Sequence, residues 1–395
     1  MLHRPGVSGR RGTVGTAERT GDVTDSDFPP DYVTARDRFR AAAARLQWAL
    51  HSHPIPGTGP SGEDLTIDAA ISPSESAHNS SAKRVLVVSS GLHGVEGPFG
   101  SAVQLAVMQQ WLTGDGPPPG VRLVFLHALN PHGYAWGRRV DADNVDPNRN
   151  FLLTGEEYSG SPDGYKIFDA LLNPRSPPGR FDFFVPRAWL AVLRHGRPAL
   201  KQALVAGQYD YPQGIFFGGH GPTATHIALR ERLRGWIGPA ADVVHLDFHT
   251  GLGPSASYKL LLDAPVSAEH LRRLDDWFGP DTYEEDDPRK TSYLPRGGLG
   301  KWCVAQQFAP AYLYLVVEFG TFSNIPMLAG LRQENRAVHW GRGGQRFTER
   351  ARERLRELFC PQSPTWRTRV LADGVALVLR SARGLGTSSK DLEFL

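Results

Sequence analysis

The chain contains short runs of apolar residues that alternate with longer segments of helical periodicity. The run Arg84–Ser90 (RVLVVSS) has the length of one strand, residues 96–112 follow with a helical pattern, and a second apolar run covers residues 121–128. Strands that are apolar at nearly every position are typical of a sheet buried on both faces. This strand–helix–strand order predicts a largely buried sheet that is covered by helices.

The same two patterns continue through the rest of the chain. Further strands are predicted at residues 65–71, 243–248, 259–262 and 312–319. The spacing of apolar residues predicts further helices at residues 31–52, 188–206, 223–236, 268–278, 327–338 and 346–359. We therefore expect an α/β fold class.

Composition and charge exclude several classes of protein. Of the 395 residues, 40% are hydrophobic and 22% are charged, which is ordinary for a globular protein with a large core. A net charge of +3 over this length is nearly balanced, and no dense Lys/Arg block with interleaved aromatic residues occurs. We therefore expect no nucleic-acid partner.

The location is predicted from cysteine content and from the absence of targeting segments. The two cysteines, Cys303 and Cys360, are too few and too far apart for a disulfide framework, which favours a reducing compartment. No apolar run reaches the roughly 18 residues of a membrane span. Arg10 and Arg11 are followed by no apolar stretch, so export is not indicated. We expect a cytoplasmic protein without a membrane partner.

The domain organisation is predicted to be simple. Residues 1–30, rich in Gly, Thr, Arg and Asp, are expected to be a disordered N-terminal extension. Residues 31–360 are expected to form one catalytic domain. Residues 361–395 form a C-terminal tail with one apolar patch, which leaves open whether it packs on the domain.

A histidine and a glutamate follow the first core strand. They lie in the stretch Gly91-Leu-His-Gly-Val-Glu-Gly97, so His93 and Glu96 are three residues apart at a strand-to-helix junction. Ligand sites in open α/β sheets gather outside the carboxyl ends of the strands. Imidazole and carboxylate are both zinc ligands, but a His-x-x-Glu pair alone is equally compatible with a surface loop.

A third candidate ligand ends a later strand. In residues 243–251 (VVHLDFHTG), His245, Asp247 and His249 share one face by period-two alternation. The terminal position favours His249 as the ligand, and His245 is better interpreted as packing or hydrogen bonding within the sheet. Asp247 is either a hydrogen-bond acceptor for a ligand histidine or a structural carboxylate.

One carboxylate interrupts another apolar strand. Glu318 ends the run 312–319 (YLYLVVEF), where a buried charge is costly unless it is paired or used. Partial burial raises the pKa of a glutamate toward the range useful for general acid–base catalysis. The alternative is a structural ion pair.

The segment between these motifs carries two arginines and an amide. Arg149 offers a planar guanidinium that binds a carboxylate through two parallel hydrogen bonds, and Arg139 could stabilise an oxyanion. Asn148 precedes Arg149 directly. The alternative interpretation is a polar loop with helix-capping asparagines.

These motifs, taken in order, resemble the zinc carboxypeptidase superfamily, and most closely its DUF2817 branch of carboxypeptidase-like bacterial proteins. They comprise His93-x-x-Glu96, Arg139 seven residues before an Asp146-x-Asn-Arg-Asn-Phe151 segment, then a histidine and a glutamate at later strand ends. The resemblance spans residues 93–320. It implies a three-layer α/β/α fold around a mixed, mostly parallel sheet of about eight strands.

The resemblance also implies a role for each motif residue. By it, His93, Glu96 and His249 bind Zn²⁺, and Glu318 activates the attacking water. Two further roles are implied for the segment between these motifs. Arg139 polarises the scissile carbonyl, while Asn148 and Arg149 hold a substrate carboxylate.

Two features of the chain depart from the superfamily pattern. Pro147 occupies a position that is usually leucine, and because proline fixes φ and lacks a donor, the pose of Asn148 could differ. Digestive members of the superfamily place a substrate-contacting tyrosine in a loop before the catalytic glutamate. Tyr283 and Tyr293 are candidates here, and the sequence does not distinguish them. Residues 211–219 (YPQGIFFGG) resemble a loop that is special to this branch, and they either line the pocket or form a turn before the next helix.

The sequence thus favours a zinc-dependent hydrolase that cleaves an amide bond next to a free carboxylate, with a small peptide as its substrate. Alternatives on the same motifs are a deacylase of N-acyl amino acids, similar to aspartoacylase and succinylglutamate desuccinylase, and a murein peptide amidase. The non-enzyme alternative is a catalytically silent binding protein on the same fold.

Overall fold

A single mixed sheet organises the protein. The computed structural model describes residues 27–73, 83–179, 182–196, 206–285, 295–341 and 345–387. Its strands are β1 (Ala49–Thr58), β2 (Asp64–Ile71), β3 (Arg84–Ser90), β4 (Val121–His127), β5 (Asp242–Gly251), β6 (Tyr258–Leu262), β7 (Tyr283–Glu285) and β8 (Ala311–Gly320).

The strands form one 8-stranded sheet in the order β1-β2-β4-β3-β5-β8-β6-β7. The four central strands, which lie in the order β4, β3, β5 and β8, run parallel to one another. Antiparallel pairing occurs toward the margins, between β1 and β2, β2 and β4, and β6 and β8. The predicted α/β class with a mixed, mostly parallel eight-stranded sheet is confirmed.

Helices cover both faces of the sheet. In the described ranges they are α1 (Tyr32–Arg45), α2 (Gly97–Thr113), α3 (Pro131–Trp136), α4 (Asp163–Leu172), α5 (Phe184–His195), α6 (Ala224–Ile237), α7 (Ala268–Phe278), α8 (Leu299–Ala305), α9 (Asn324–Trp340), α10 (Gln345–Phe359) and α11 (Pro364–Gly386). Side chains on several helix N-caps accept a hydrogen bond from the first turn, as those of Thr223, Ser267 and Ser363 do at α6, α7 and α11.

The two faces of the sheet bury separate hydrophobic cores. Along β3, Leu86 and Val88 pack in the core that includes α1, α2, α7 and α11. Val85 and Val87 point to the opposite face, toward α6 and α8. Successive side chains of a strand point to opposite faces of the sheet. Because helices cover both faces, each central strand is apolar at nearly every position.

The folded part of the chain includes residues on both sides of the predicted 31–360 domain. Phe28 is buried, with its ring centroid 6.5 Å from that of Trp366. Helix α11, in the predicted tail, buries Trp366 and Val370 against α2 and β3. Residues 1–26 and 388–395 lie outside the described residues, so the N-terminal extension stays a prediction there.

None of the described helices is both long enough and apolar enough to span a membrane. The cytoplasmic location stays a prediction.

The order of the strands creates a crevice at the carboxyl end of β3. The chain continues from β3 through α2 to β4 on one side, while β5 lies on the other side of β3. Such a reversal of strand order opens a ligand crevice outside the carboxyl ends of the strands. The loops after β3 and β4 and the ends of β5 and β8 all meet there.

Candidate metal centre

His93 and Glu96 lie in the tight connection between β3 and α2. After Ser90 the chain turns at Gly91, whose φ of 67° is left-handed and favours glycine. A single 3₁₀ turn, Gly94–Glu96, then brings both side chains to the same point. His93 Nδ1 lies 2.9 Å from Glu96 Oε1, and both residues are buried.

His249 reaches the same point from the end of β5. Its Nδ1 atom lies 3.2 Å from Nδ1 of His93 and 3.1 Å from Oε2 of Glu96. Candidate ligand atoms of His93, Glu96 and His249 all lie within 4.8 Å of one another. The structure therefore brings together the three residues that the sequence selects as metal ligands.

The spacing of these atoms suits a tetrahedral zinc ion. Two ligand atoms about 2.0–2.2 Å from a common centre are about 3.3–3.6 Å apart at the tetrahedral angle. The two Nδ1 atoms are 3.2 Å apart, and each faces a different oxygen of Glu96, Oε1 at 2.9 Å from His93 and Oε2 at 3.1 Å from His249. The Glu96 carboxylate therefore lies between the two rings, where it can share one ion with them. Two imidazoles and a carboxylate are also a donor set typical of catalytic zinc.

Each histidine has a carboxylate on the side of the ring away from this cluster. His249 Nε2 lies 2.7 Å from Asp247 Oδ2, and His93 Nε2 lies 3.2 Å from Asp146 Oδ1. A carboxylate at Nε2 favours the tautomer in which Nδ1 carries a free lone pair. Both rings are thus oriented to present Nδ1 to a cation.

Charge balance keeps the carboxylates of the centre ionised. Burial alone would raise the pKa of Asp247, but a protonated His249 lowers it to about 2 through its charge and hydrogen bond. A cation bound at Nδ1 of His249 would supply the positive charge in place of that proton. Burial opposes ionisation of Glu96 in the same way, yet His93 and His249 hold its pKa below its ordinary value. A cluster of anionic carboxylates with two imidazoles is the electrostatic setting that a divalent cation requires.

A buried hydrogen-bond network fixes Asp247. Its Oδ1 accepts a hydrogen bond from Ser89 Oγ at 2.6 Å, and its Oδ2 accepts one from Tyr314 OH at 2.7 Å. His245 lies within the sheet, 2.7 Å from Ser89 Oγ and 2.9 Å from Tyr312 OH. Of the two interpretations of Asp247, the geometry selects the hydrogen-bond acceptor for His249, while His245 packs and hydrogen-bonds as predicted.

Glu318 lies beside the cluster on the neighbouring strand. In the register of β5 and β8 it pairs directly with His249. Its Oε1 accepts a hydrogen bond from the backbone N–H of Leu252 at 2.8 Å. Burial, followed by the negative charge of Glu96, raises the pKa of Glu318 to about 7. No ion pair of Glu318 is found among the described residues, which disfavours a structural ion pair.

Arg139 reaches the cluster from the loop after α3. Its Nε donates to Asp146 Oδ2 at 3.0 Å, and its Nη1 lies 3.4 Å from Glu96 Oε1. Its Nη2 lies 2.7 Å from Nε2 of His93, the atom that also faces Asp146. Since Nε2 cannot donate to Asp146 and accept from Arg139 at once, the two contacts are alternatives.

Asn148 and Arg149 lie in a short 3₁₀ turn that begins with Pro147. Asp146 caps this turn by accepting a hydrogen bond from the backbone N–H of Asn148, and Asn148 Oδ1 accepts one from Leu299 N at 3.0 Å. Proline at the first position suits such a turn. The Asn148 amide is therefore held by α8 with its oxygen engaged.

Arg149 is buried but incompletely hydrogen-bonded. Its Nη1 donates to the carbonyl of Asn148 at 2.7 Å, and its Nε has no hydrogen-bond partner in the described part of the chain. Burial lowers the pKa of this guanidinium below its usual range. A buried guanidinium with unused donors is suited to an anionic ligand.

Sequence reasoning missed one residue of the site and left another without a role. Phe216 lies with its ring centroid 5.7 Å from Cζ of both Arg139 and Arg149. Asp146 was recognised only as part of a motif. Its position seven residues after an arginine was the available signal. Phe216 lies in residues 211–219, which the sequence marks as either a pocket lining or a turn, without singling out this residue.

The tyrosine candidates remain without a place in the site. Tyr283 lies in β7 at the edge of the sheet, where its hydroxyl donates to Asp275 Oδ1 at 2.9 Å. Tyr293 lies outside the described residues.

The family assignment agrees with this geometry. The family model described as "Protein of unknown function (DUF2817)" matches residues 28–373. That range contains all of the motifs from His93 to Glu318. The chain therefore belongs to the DUF2817 family, which confirms the branch that the motif order predicts. No curated relative matches the sequence.

Several solved structures of peptidases are similar at low identity. Carboxypeptidase A from Helicoverpa armigera is 16% identical, with a TM-score of 0.45 over 84% of this chain and 76% of its own. A metallo-carboxypeptidase from Burkholderia cenocepacia is 12% identical, with a TM-score of 0.44 over 88% of this chain and 68% of its own. A murein-tripeptide amidase from Escherichia coli O157 is 17% identical, with a TM-score of 0.36 over 74% of this chain and 95% of its own.

Proposed function

We propose that the protein is a zinc-dependent hydrolase that cleaves an amide bond next to a free carboxylate. The observation that carries this proposal is the convergence of His93, Glu96 and His249 on one point, with Glu318 on the adjacent strand. Three protein ligands with a further position left for water or substrate are typical of catalytic zinc. A small peptide is the proposed substrate.

His93 and His249, through Nδ1, and the carboxylate of Glu96 would hold the metal. When bound, zinc lowers the pKa of a coordinated water toward about 7 and polarises the substrate carbonyl. Asp146 and Asp247 orient the two rings through their Nε2 atoms. Asp146 then accepts the Nε2 proton of His93, so Arg139 Nη2 turns from that nitrogen toward the substrate.

Glu318 moves the proton of the reaction. It accepts a proton from the attacking water and returns it to the leaving amine, so that one carboxylate serves both steps. Burial raises the pKa of Glu318 above its ordinary value, toward the range in which a carboxylate both accepts and returns a proton efficiently, and a bound cation limits that rise.

Arg139 and Arg149 orient the substrate. Arg139 lies at the cluster and donates to the carbonyl oxygen as it gains negative charge. Arg149, with its unused donors, binds the substrate carboxylate together with the amide group of Asn148. Binding a carboxylate also compensates the cost of burying this guanidinium.

A deacylase of N-acyl amino acids is the second candidate. The observation in its favour is the direct contact of Asp247 with His249, because the Asp-x-His segment is shared with the aspartoacylase-like branch. A murein peptide amidase uses the same site on a different peptide. All three activities need the same metal, base and carboxylate-binding residues.

A substrate screen distinguishes these activities. Zinc-loaded protein is incubated with carboxy-terminal peptides, murein peptides and N-acyl amino acids, each with and without a chelator. We expect turnover of one class that the chelator abolishes, and loss of that turnover in Glu318→Gln with zinc retained. Near-normal turnover by Glu318→Gln, or turnover that survives complete removal of zinc, contradicts the proposal. Retained zinc without any turnover in the screen favours a silent binding protein.

A further inference from the structure

A buried chain of polar side chains leads from Tyr312 on β8 to the candidate metal centre. Tyr312 OH lies 2.9 Å from Nδ1 of His245, and Nε2 of His245 lies 2.7 Å from Ser89 Oγ. Ser89 Oγ in turn lies 2.6 Å from Oδ1 of Asp247, the carboxylate that faces His249. All five side chains are buried, so bulk water does not compete for these contacts.

The contact between Ser89 and Asp247 fixes the direction of the next hydrogen bond. A serine hydroxyl has a single proton to donate, and an ionised carboxylate only accepts. The Ser89 proton therefore points to Oδ1 of Asp247. In its contact with His245 the Ser89 oxygen must then accept, so Nε2 of His245 must carry a proton.

The other ring nitrogen of His245 accepts a hydrogen bond. Burial lowers the pKa of His245 to about 4, so the ring is neutral near pH 7 and carries one proton. Since that proton is on Nε2, Nδ1 accepts from the hydroxyl of Tyr312. Burial raises the pKa of Tyr312 well above its ordinary value, so this hydroxyl keeps its proton. Every proton in the chain thus points toward Asp247.

We propose that His245 is a positioning residue for the candidate metal ligand His249. It acts through Ser89, whose hydrogen bond holds the carboxylate of Asp247. This inference rests on the proposed function, because His249 is there a zinc ligand. A His245 ring protonated on Nδ1 would present a lone pair at Nε2 and compete with Asp247 for the Ser89 proton. The tautomer with its proton on Nε2 removes this competition.

Asp247 transmits the constraint to His249. Its Oδ2 lies 2.7 Å from Nε2 of His249, so that Nδ1 of the ring faces His93 and Glu96. A carboxylate that is held by its own donors keeps the imidazole that it faces in one orientation. Loss of a donor loosens the carboxylate and the ring together. The affinity for zinc then falls although no ligand has been removed.

A second buried histidine has a similar environment without this connection. Nε2 of His127, at the end of β4, lies 2.9 Å from Ser101 Oγ in α2. Burial also lowers the pKa of His127 to about 4. Among the described residues, no hydrogen bond of Ser101 leads to Asp247 or to a candidate metal ligand. His127 is therefore a matched control for the loss of a buried histidine.

The position of the His245 proton is measured on the metal-free protein. Nitrogen NMR of protein labelled in its histidine rings distinguishes the two neutral tautomers. We expect the His245 ring at pH 7 to carry its proton on Nε2 and to lack one on Nδ1. The signal is assigned by its absence from His245→Leu. A ring whose Nε2 is unprotonated overturns the inference.

Competition with a chelator measures the positioning role as zinc affinity. His245→Leu is expected to lower the affinity by about fivefold, the equivalent of one hydrogen bond of average strength. His245→Gln retains an amide N–H that can donate to Ser89, so its affinity is expected to stay close to that of the parent. His127→Leu is expected to lower the stability of the protein and to leave zinc affinity unchanged.

A double variant tests whether His245 acts through Ser89. Ser89→Ala removes the donor to Asp247, after which the loss of His245 has no further route to the carboxylate. We therefore expect Ser89→Ala and the combination of Ser89→Ala with His245→Leu to bind zinc equally. Losses that multiply in the double variant overturn this route.

Two further results overturn the inference. One is equal zinc affinity of His245→Leu and the parent, and the other is an affinity of His245→Gln as low as that of His245→Leu. Failure of the proposed function is distinct from these results. In that case the parent binds no zinc, while the tautomer of His245 in the metal-free protein still tests the hydrogen-bond chain.

Discussion

The Oδ2 atom of Asp247 lies 2.7 Å from Nε2 of His249, on the side of the imidazole away from the candidate metal ligands. Both residues are on β5, two positions apart, so the strand itself fixes their separation. Ser89 and Tyr314 donate to the same carboxylate and hold it in place. The orientation of His249 is therefore determined by residues of three adjacent strands.

The contact between Asp247 and His249 predicts that zinc affinity falls when the charge of Asp247 is removed. Asp247→Asn replaces a charged acceptor by an amide and is expected to lower zinc affinity by roughly 10–100-fold. Competition with a chromophoric chelator measures the affinity. Asp275→Asn, at a carboxylate that pairs with Tyr283 away from the site, is the control and leaves the affinity unchanged. Equal affinities of the two variants contradict a supporting role for Asp247.

Glu318 predicts a dependence of activity on pH. Its pKa is raised from 4.5 to about 7 in the protein, and a bound cation lowers it again, so the active enzyme titrates between these values. The base must be ionised to accept a proton, so kcat/KM falls as the pH decreases through this window. A kcat/KM profile from pH 4 to pH 9 measures the effect. A profile that stays flat across the window is incompatible with Glu318 as the base.

Close backbone packing beside the candidate metal ligands predicts a severe effect at Gly94. A Cβ at this position would lie 2.0 Å from the carbonyl carbon of Gly133. Gly94→Ala therefore displaces the turn that carries His93 and Glu96. We expect destabilisation by at least about 1–3 kcal/mol, together with weaker zinc binding.

The control for this experiment is another glycine. Gly235 lies in α6, and an added Cβ there meets no atom within 4 Å. Gly235→Ala is expected to stabilise the protein by about 0.5–1 kcal/mol, because alanine favours the helix more than glycine does. Denaturant unfolding measures both variants. A Gly94→Ala protein as stable as the parent contradicts the packing described here.

The central part of the fold could be predicted because its strands are buried on both faces. The strands β3 and β4 and the helix between them appear close to their predicted bounds. The prediction of a helix over residues 31–52 was wrong at its end, where β1 begins at Ala49. Leu50 fits helical spacing, yet it pairs with Ala70 on an edge strand and is exposed. Edge strands lack the burial pattern that identifies a strand in the sequence.

The residues of the candidate site that lie at strand ends could be predicted from the sequence. His93, His249 and Glu318 each lie at or just after the carboxyl end of a parallel strand, and such ends meet at one edge of the sheet. The sequence left residues 211–219 open between a pocket lining and a turn, because the position of Phe216 depends on hydrogen bonds from Asn144 and other residues far away in sequence. Contacts of that kind carry no local pattern.

The decisive measurement for the candidate metal centre is the zinc content of the parent protein compared with that of a single histidine variant. The parent protein, His249→Ala and His220→Ala are loaded with zinc, freed of excess metal and analysed by elemental spectrometry. His220 is exposed and serves as the control. The geometry predicts one tightly held zinc ion per chain in the parent and in His220→Ala, and its loss in His249→Ala. Equal zinc content in His249→Ala and the parent, or a parent that retains no zinc, contradicts the metal centre.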